Sequence, residues 1–83
     1  MNNFKLGELI YKIGHKEDKL AFNYIFDYFA PRIIGYLVGT NTNREISEEI
    51  TQEVLTTVWK KASQFDHKKG NVNTWIFTIA RNK

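Results

Sequence analysis

An all-α fold, a small bundle of three main helices behind a short N-terminal one, is what this sequence predicts. Three observations carry it. Apolar residues recur at three-and-four spacing in four successive segments, strand-like alternation is nowhere sustained, and turn-forming clusters separate the segments. Eighty-three residues, 42% of them hydrophobic, suffice for one core and are too few for two cores or a deep substrate cavity. A domain of this size buries only about 60% of its unfolded surface, so its stability depends on good helix packing or on a partner that covers part of it.

Leu6, Leu9, Ile10 and Ile13 mark the first helix, a minor element expected within residues 1–17 and stopping near Gly14. Asp18 is placed to cap a longer helix whose apolar stripe comprises Ala21, Phe22, Ile25, Phe26, Phe29, Ile33, Ile34 and Leu37. Pro31 falls inside that stripe, but the pattern keeps its phase across it, which predicts one kinked helix rather than two. Gly39 to Asn43 ends the helix. Thr42 and Glu45 have capping-box spacing, so a third helix is expected there, with Ile46, Ile50, Val54, Val58 and Ala62 inward. Glu48, Glu49, Gln52 and Glu53 lie off that face, and Lys60 and Lys61 close the helix, where cations complement its dipole. Phe65 to Asn73 reads as a loop rich in turn formers. Asn71 or Asn73 can cap a last helix carrying Trp75, Ile76, Ile79 and Ala80. Arg81-Asn82-Lys83 supplies no stop signal, so the natural protein is expected to continue beyond this chain.

Composition narrows the function. With no cysteine, and with His15 and His67 far apart, neither a disulfide framework nor a metal site is supported, and no cofactor or catalytic constellation is expected. There is no signal-peptide core and no run near the ~20 apolar residues needed to span a bilayer, so a cytoplasmic location without membrane insertion is expected. The net charge of +3 is unevenly spread. Met1 to Trp59 holds six basic and eight acidic residues, a net −2, whereas Lys60 to Lys83 holds six basic residues against Asp66 alone, a net +5. That asymmetry suits an acidic partner for the C-terminal third, although a solvated basic tail would account for the charge equally well.

Two stretches carry a resemblance. In the first, Glu48-Glu49-Ile50-Thr51-Gln52-Glu53-Val54-Leu55 leads to Trp59. In the second, Phe65-Asp66 and a loop containing Gly70 precede Thr74-Trp75-Ile76-Phe77-Thr78-Ile79-Ala80-Arg81-Asn82. Together they resemble region 2 of the extracytoplasmic-function (ECF) sigma factors, bacterial members of the sigma-70 family. In that family an acidic-Leu-x-Gln-Glu-x-Phe pattern ends in Trp and is followed by Phe-Asp, a Gly-containing loop and Thr-Trp-Leu-x-x-Ile-Ala-x-Asn. Ala21-Phe22 and Tyr28-Phe29-Ala30-Pro31-Arg32 look like the family's opening helix, so the resemblance covers residues 18–82. Ser47, Glu49, Leu55 and Val72 depart from the commoner residues at their positions. The family's C-terminal helix-turn-helix domain, which reads duplex DNA, is expected to be absent from this chain.

The resemblance implies a transcription initiation domain that melts promoters and catalyses nothing by itself. Glu48, Glu49, Gln52 and Glu53 match positions that bind core RNA polymerase at the clamp coiled coil of its largest subunit; without the resemblance they would pass for a solvated acidic face. The predicted DNA-binding set is Lys60, Lys61, Phe65, Lys68, Lys69, Asn71, Asn73, Thr74, Trp75, Arg81 and Asn82. Cations neutralise phosphates, aromatic walls hold an unstacked base and amides address its edge. By resemblance, the loop and the start of the last helix capture a base flipped from the non-template single strand of the minus-ten element, with Asn82 lining the pocket. Trp75 and Phe65 could equally be core, and Phe77 could be surface. The competing reading is a generic helical module for an anti-sigma factor or other protein partner, without DNA binding.

Overall fold

The computed structural model describes residues 1–83, which form four α-helices and no strand. α1 spans Asn3–Lys16, α2 Lys19–Gly39, α3 Arg44–Lys61 and α4 Val72–Arg81, with a 3₁₀ turn at Ala62–Gln64 extending α3. The bundle measures 35 × 23 × 20 Å. α2 packs on α3 and α1, α4 packs on α3, and α1 also lies along the 3₁₀ turn. No helix is long and apolar enough to cross a membrane.

The helices start where side-chain oxygens can take up orphan backbone N–H groups. Asn2 accepts from Lys5, Asp18 from Ala21, Asn43 from Ile46 and Asn71 from Thr74. α1 runs past Gly14 to Lys16 and stops at Glu17, whose φ of 50° places it in the left-handed region. Gly14 is needed inside the helix for another reason. It faces the backbone of the 3₁₀ turn, where a side chain would collide with Ala62 and Ser63. At 14 residues, α1 is longer than α4 and supplies Leu6, Ile10 and Ile13 to the core, more than the minor role expected of it. Pro31 leaves α2 unbroken from Lys19 to Gly39. One residue on, the Arg32 guanidinium stacks 3.7 Å from the Tyr28 ring and donates to the Tyr28 carbonyl at 2.6 Å, adding a donor beside the one that proline lacks.

Three details of the predicted pattern are corrected. The capping box at Thr42 does not form, because the Thr42 N–H is used to close α2 on the Leu37 carbonyl at 3.1 Å, and Asn43, an equally good cap, starts α3. The inward face of α3 is turned from the predicted one: Ser47, Thr51 and Leu55 are buried with Val54 and Val58, while Ile46 is 46% exposed and Ile50 half-buried. Both hydroxyls can be buried because they bond to backbone carbonyls, Thr51 to Ser47 at 2.7 Å and Ser47 to Thr42 at 3.4 Å. Finally, Phe26 leaves the α2 stripe for the surface, whereas Ala21, Ile25, Phe29, Ile33 and Leu37 are buried.

Fifteen apolar residues from every helix form one core. Phe29 is at its centre, fully buried, with its ring edge-on to Tyr28 and Phe77. Truncating such a side chain to alanine costs about 3–5 kcal/mol, a large part of the 5–15 kcal/mol that holds a domain of this kind together.

Candidate nucleic-acid interface

α3 carries the acidic face. Residues three and four apart stack on one side of a helix, so Glu49, Gln52 and Glu53 form a single exposed patch, with Glu48 exposed beside it. Below them, a groove of about 520 Å³ is lined by Glu49, Gln52, Glu53, Thr56, Thr57, Lys60 and Lys83, with no apolar residue. Such a lining does not suit an apolar ligand; it suits a polar surface of opposite relief. The structure therefore places Lys60 with the carboxylates of α3, apart from the loop lysines with which the sequence grouped it.

The second face begins where α3 tightens into the 3₁₀ turn and the chain leaves the bundle. Asp66 builds the turn that follows. Its carboxylate accepts from the Lys68 N–H at 2.9 Å, and its carbonyl accepts from the Lys69 and Gly70 N–H groups at 3.0 and 3.1 Å. Tied down by Asp66, the turn holds Lys68 and Lys69 in solvent on a fixed backbone, with Lys61 exposed at the end of α3. Phe65 lies beneath Gly70 and stacks on Trp75, centroids 4.7 Å apart and planes at 29°. Both rings are half-buried, so each packs on the core and neither is sealed within it.

The amides are less free than the sequence suggests. Asn71 spends its side-chain oxygen on the Thr74 N–H at 3.1 Å, as the N-cap of α4; Asn73 is half-buried within the first turn, and Thr74 is exposed. The loop consequently ends at Asn71 rather than Asn73. Arg81 and Asn82 are exposed at the far end of α4, where Arg81 donates to the Thr78 hydroxyl at 3.2 Å. Asn82 is seven residues beyond Trp75, two turns and about 10 Å further along the axis, on the same side of α4.

A hollow of about 420 Å³ adjoins the loop, lined by Tyr11, His15, Ser63, Gln64, Phe65, Asp66, His67 and Lys68. It offers an amide, a cation and aromatic walls, but the amide is Gln64 and two of the walls come from α1. Sequence spacing contained no signal for these residues, because the 3₁₀ turn and α1 are brought together only by the tertiary fold. His15 is exposed and tilted against Tyr11 at 4.3 Å, and His67 is edge-on to Phe4 at 6.2 Å. No cluster of side chains is placed to hold a metal ion.

Comparison with known proteins adds an independent finding. The sigma-70 region 2 family model matches residues 25–83. The ECF RNA polymerase sigma factor RpoE of Cereibacter sphaeroides is 43% identical over 75 residues, which are 90% of this chain and 41% of that protein. The ECF RNA polymerase sigma factor SigK of Mycobacterium tuberculosis H37Rv is 36% identical over 70 residues, 84% of this chain and 36% of that one. Among solved structures, Rhodobacter sphaeroides SigE in complex with the anti-sigma ChrR superposes with a TM-score of 0.91 at 38% identity, covering all of this chain and 47% of that one. The chain thus spans less than half the length of the relatives it matches.

Proposed function

Since this chain belongs to the sigma-70 region 2 family, and within it to the ECF sigma factors, we propose that it acts in transcription initiation, joining core RNA polymerase to the opened minus-ten region of a promoter. The observation that carries this reading is the loop after α3: exposed cations on a rigid turn beside two stacked, half-exposed aromatic rings.

On this reading, Lys61, Lys68 and Lys69 neutralise phosphates of the non-template strand, and a flipped base stacks against the Phe65–Trp75 pair. Thr74 and the free side-chain N–H groups of Asn71 and Asn73 address the base edge. Arg81 and Asn82, two turns away, follow the strand past the pocket. Stacking contributes about 1–3 kcal/mol per base, comparable with the few kcal/mol needed to extrude one, so capture can drive opening without ATP and without catalysis by this chain. Glu48, Glu49, Gln52 and Glu53 engage basic side chains of the polymerase clamp coiled coil, Gln52 adding a directional hydrogen bond. Lys60, in the groove among those carboxylates, belongs to this polymerase-facing side.

A second reading, docking of an anti-sigma factor, is favoured by the complex in which the SigE neighbour was solved and by exposed Leu20, Tyr24 and Ile46 on the outer faces of α2 and α3. Co-purification with bacterial core RNA polymerase, followed by titration of single-stranded and duplex oligonucleotides, separates the two readings. The initiation role requires retention by the polymerase and a clear preference for the single strand; retention by an anti-sigma factor alone, with no strand binding, would leave only the second.

A further inference from the structure

We propose that α1 is the positioning element of the base-capture loop and that Asn3 is its key residue, an inference that rests on the single-strand reading above. Asn3 is the first residue of α1, yet its side chain serves the other end of the chain. Its Oδ1 accepts from the Val72 N–H at 2.7 Å, and its Nδ2 donates to the Gly70 carbonyl at 3.4 Å. Val72 opens α4, so Asn3 takes up one of the orphan donors of that helix while Asn71 takes up another at Thr74. The two bonds bracket the loop exit, between the residue that lies on Phe65 and the helix that carries Trp75.

Two glycines on the same helix seat the rest of the loop. A methyl group at Gly7 would collide with the Cβ and ring of His67, and one at Gly14 with the backbone of Ser63. Contacts at Asn3, Gly7 and Gly14 thus fix Gly70, His67 and Ser63 in turn, a continuous seat running the length of α1 under the loop. All three lie outside residues 25–83, the segment matched by the family model. The stack of Phe65 on Trp75 requires the loop and α4 to keep their separation, and Asn3 is the only side chain bonded to both. Asn3 is therefore a positioning residue. It acts on the base through Phe65 and Trp75, without touching it.

The test uses the full chain and a fluorescein-labelled single strand selected by the wild type from a random pool, alongside copies of that strand with one abasic position each. The ratio of affinities for the intact strand and for its most damaging abasic copy reports the pocket alone, since phosphate contacts are the same in both. In the wild type this ratio should be roughly tenfold or more. Asn3→Ala should bring it close to one while leaving affinity for the abasic strand unchanged. Asn3→Asp, which keeps the acceptor for Val72 but has no donor for the Gly70 carbonyl, should restore no more than part of it. Gly7→Ala, which displaces the loop from its other side, should lower the ratio as Asn3→Ala does. A circular-dichroism melt of each variant sets a temperature at which it is folded, so a merely destabilised protein is not mistaken for a mispositioned loop. If Asn3→Ala keeps the wild-type ratio, or weakens intact and abasic strands equally, α1 does not position the pocket. A wild type with a ratio of one would instead refute base capture itself, before any variant is compared.

Discussion

The Phe65 ring is stacked on Trp75, 4.7 Å between centroids and 29° between planes, and neither ring is sealed in the core. A base that extended this stack would not first have to break a well-packed interior. Phe65→Ala should therefore lower affinity for a single strand by about 5- to 150-fold, the equivalent of 1–3 kcal/mol of lost stacking. It should lower stability by no more than a partly buried aromatic contributes, about 1–2 kcal/mol. Fluorescence anisotropy and a thermal melt measure the two effects. Unchanged affinity with reduced stability would make the pair purely structural.

Lys68 and Lys69 stand in solvent on a turn clamped by Asp66, so charge reversal there should not disturb the fold. Lys68→Glu with Lys69→Glu should weaken single-strand binding and flatten its salt dependence, by about 0.7 in the slope of log affinity against log salt for each lysine on a phosphate. A titration series at several salt concentrations reads the slope. An unaltered slope would remove both lysines from the strand's path.

Glu53 and Gln52 are exposed above a groove with no apolar lining. Gln52→Ala combined with Glu53→Lys should leave the melting temperature nearly unchanged, since exposed substitutions are usually within about 0.5 kcal/mol of neutral. Association with core RNA polymerase should fall by roughly tenfold or more. Binding to single strands should not weaken, because the substitutions remove no cation or aromatic of the loop and add a positive charge in the groove that Lys83 lines. Full retention of polymerase binding would assign the acidic face to solvent.

Much of this architecture is legible in the sequence because it is written locally. Asp18 as a cap, the α2 stripe from Ala21 to Leu37, the exposed carboxylates of α3 and the loop after Phe65 follow from spacing within a few residues. What escaped depends on competition or on distance. Thr42 has the right chemistry for a cap, but α2 claims its N–H first. Ser47 and Thr51 look polar enough for the surface, and only the back-bonding of their hydroxyls lets them replace Ile46 in the interior. Asn3 is bonded to residues 67 and 69 positions away, and no pattern in either segment announces it. The candidate site divides the same way. Its cations and aromatics, and the choice of Asn71 or Asn73 as the cap of α4, are visible in the chain, whereas the contribution of Tyr11 and Gln64 to the neighbouring hollow arises only in three dimensions.

Two helical glycines, Gly14 in the last turn of α1 and Gly35 within α2, offer a test of how closely α1 is seated, because intrinsic helix preference disfavours both and tertiary structure treats them differently. Replacing a helical glycine with alanine gains about 1 kcal/mol when the new methyl group meets nothing. At Gly35 no atom beyond the adjoining helix backbone lies within 4 Å of the added Cβ, so Gly35→Ala should raise the melting temperature by a few degrees, at about 4–8 °C per kcal/mol for a domain of this size. At Gly14 the same methyl group would stand 2.6 Å from the Ala62 carbonyl carbon and the Ser63 Cα, which are backbone and cannot rotate away. Forcing α1 off the 3₁₀ turn should cost about 1–3 kcal/mol or more, outweighing the preference gain and lowering the melting temperature. Opposite signs in a pair of otherwise identical substitutions would establish the close seat directly. Stabilisation by both would mean that α1 stands clear of the 3₁₀ turn at Gly14, and that this glycine does not seat it.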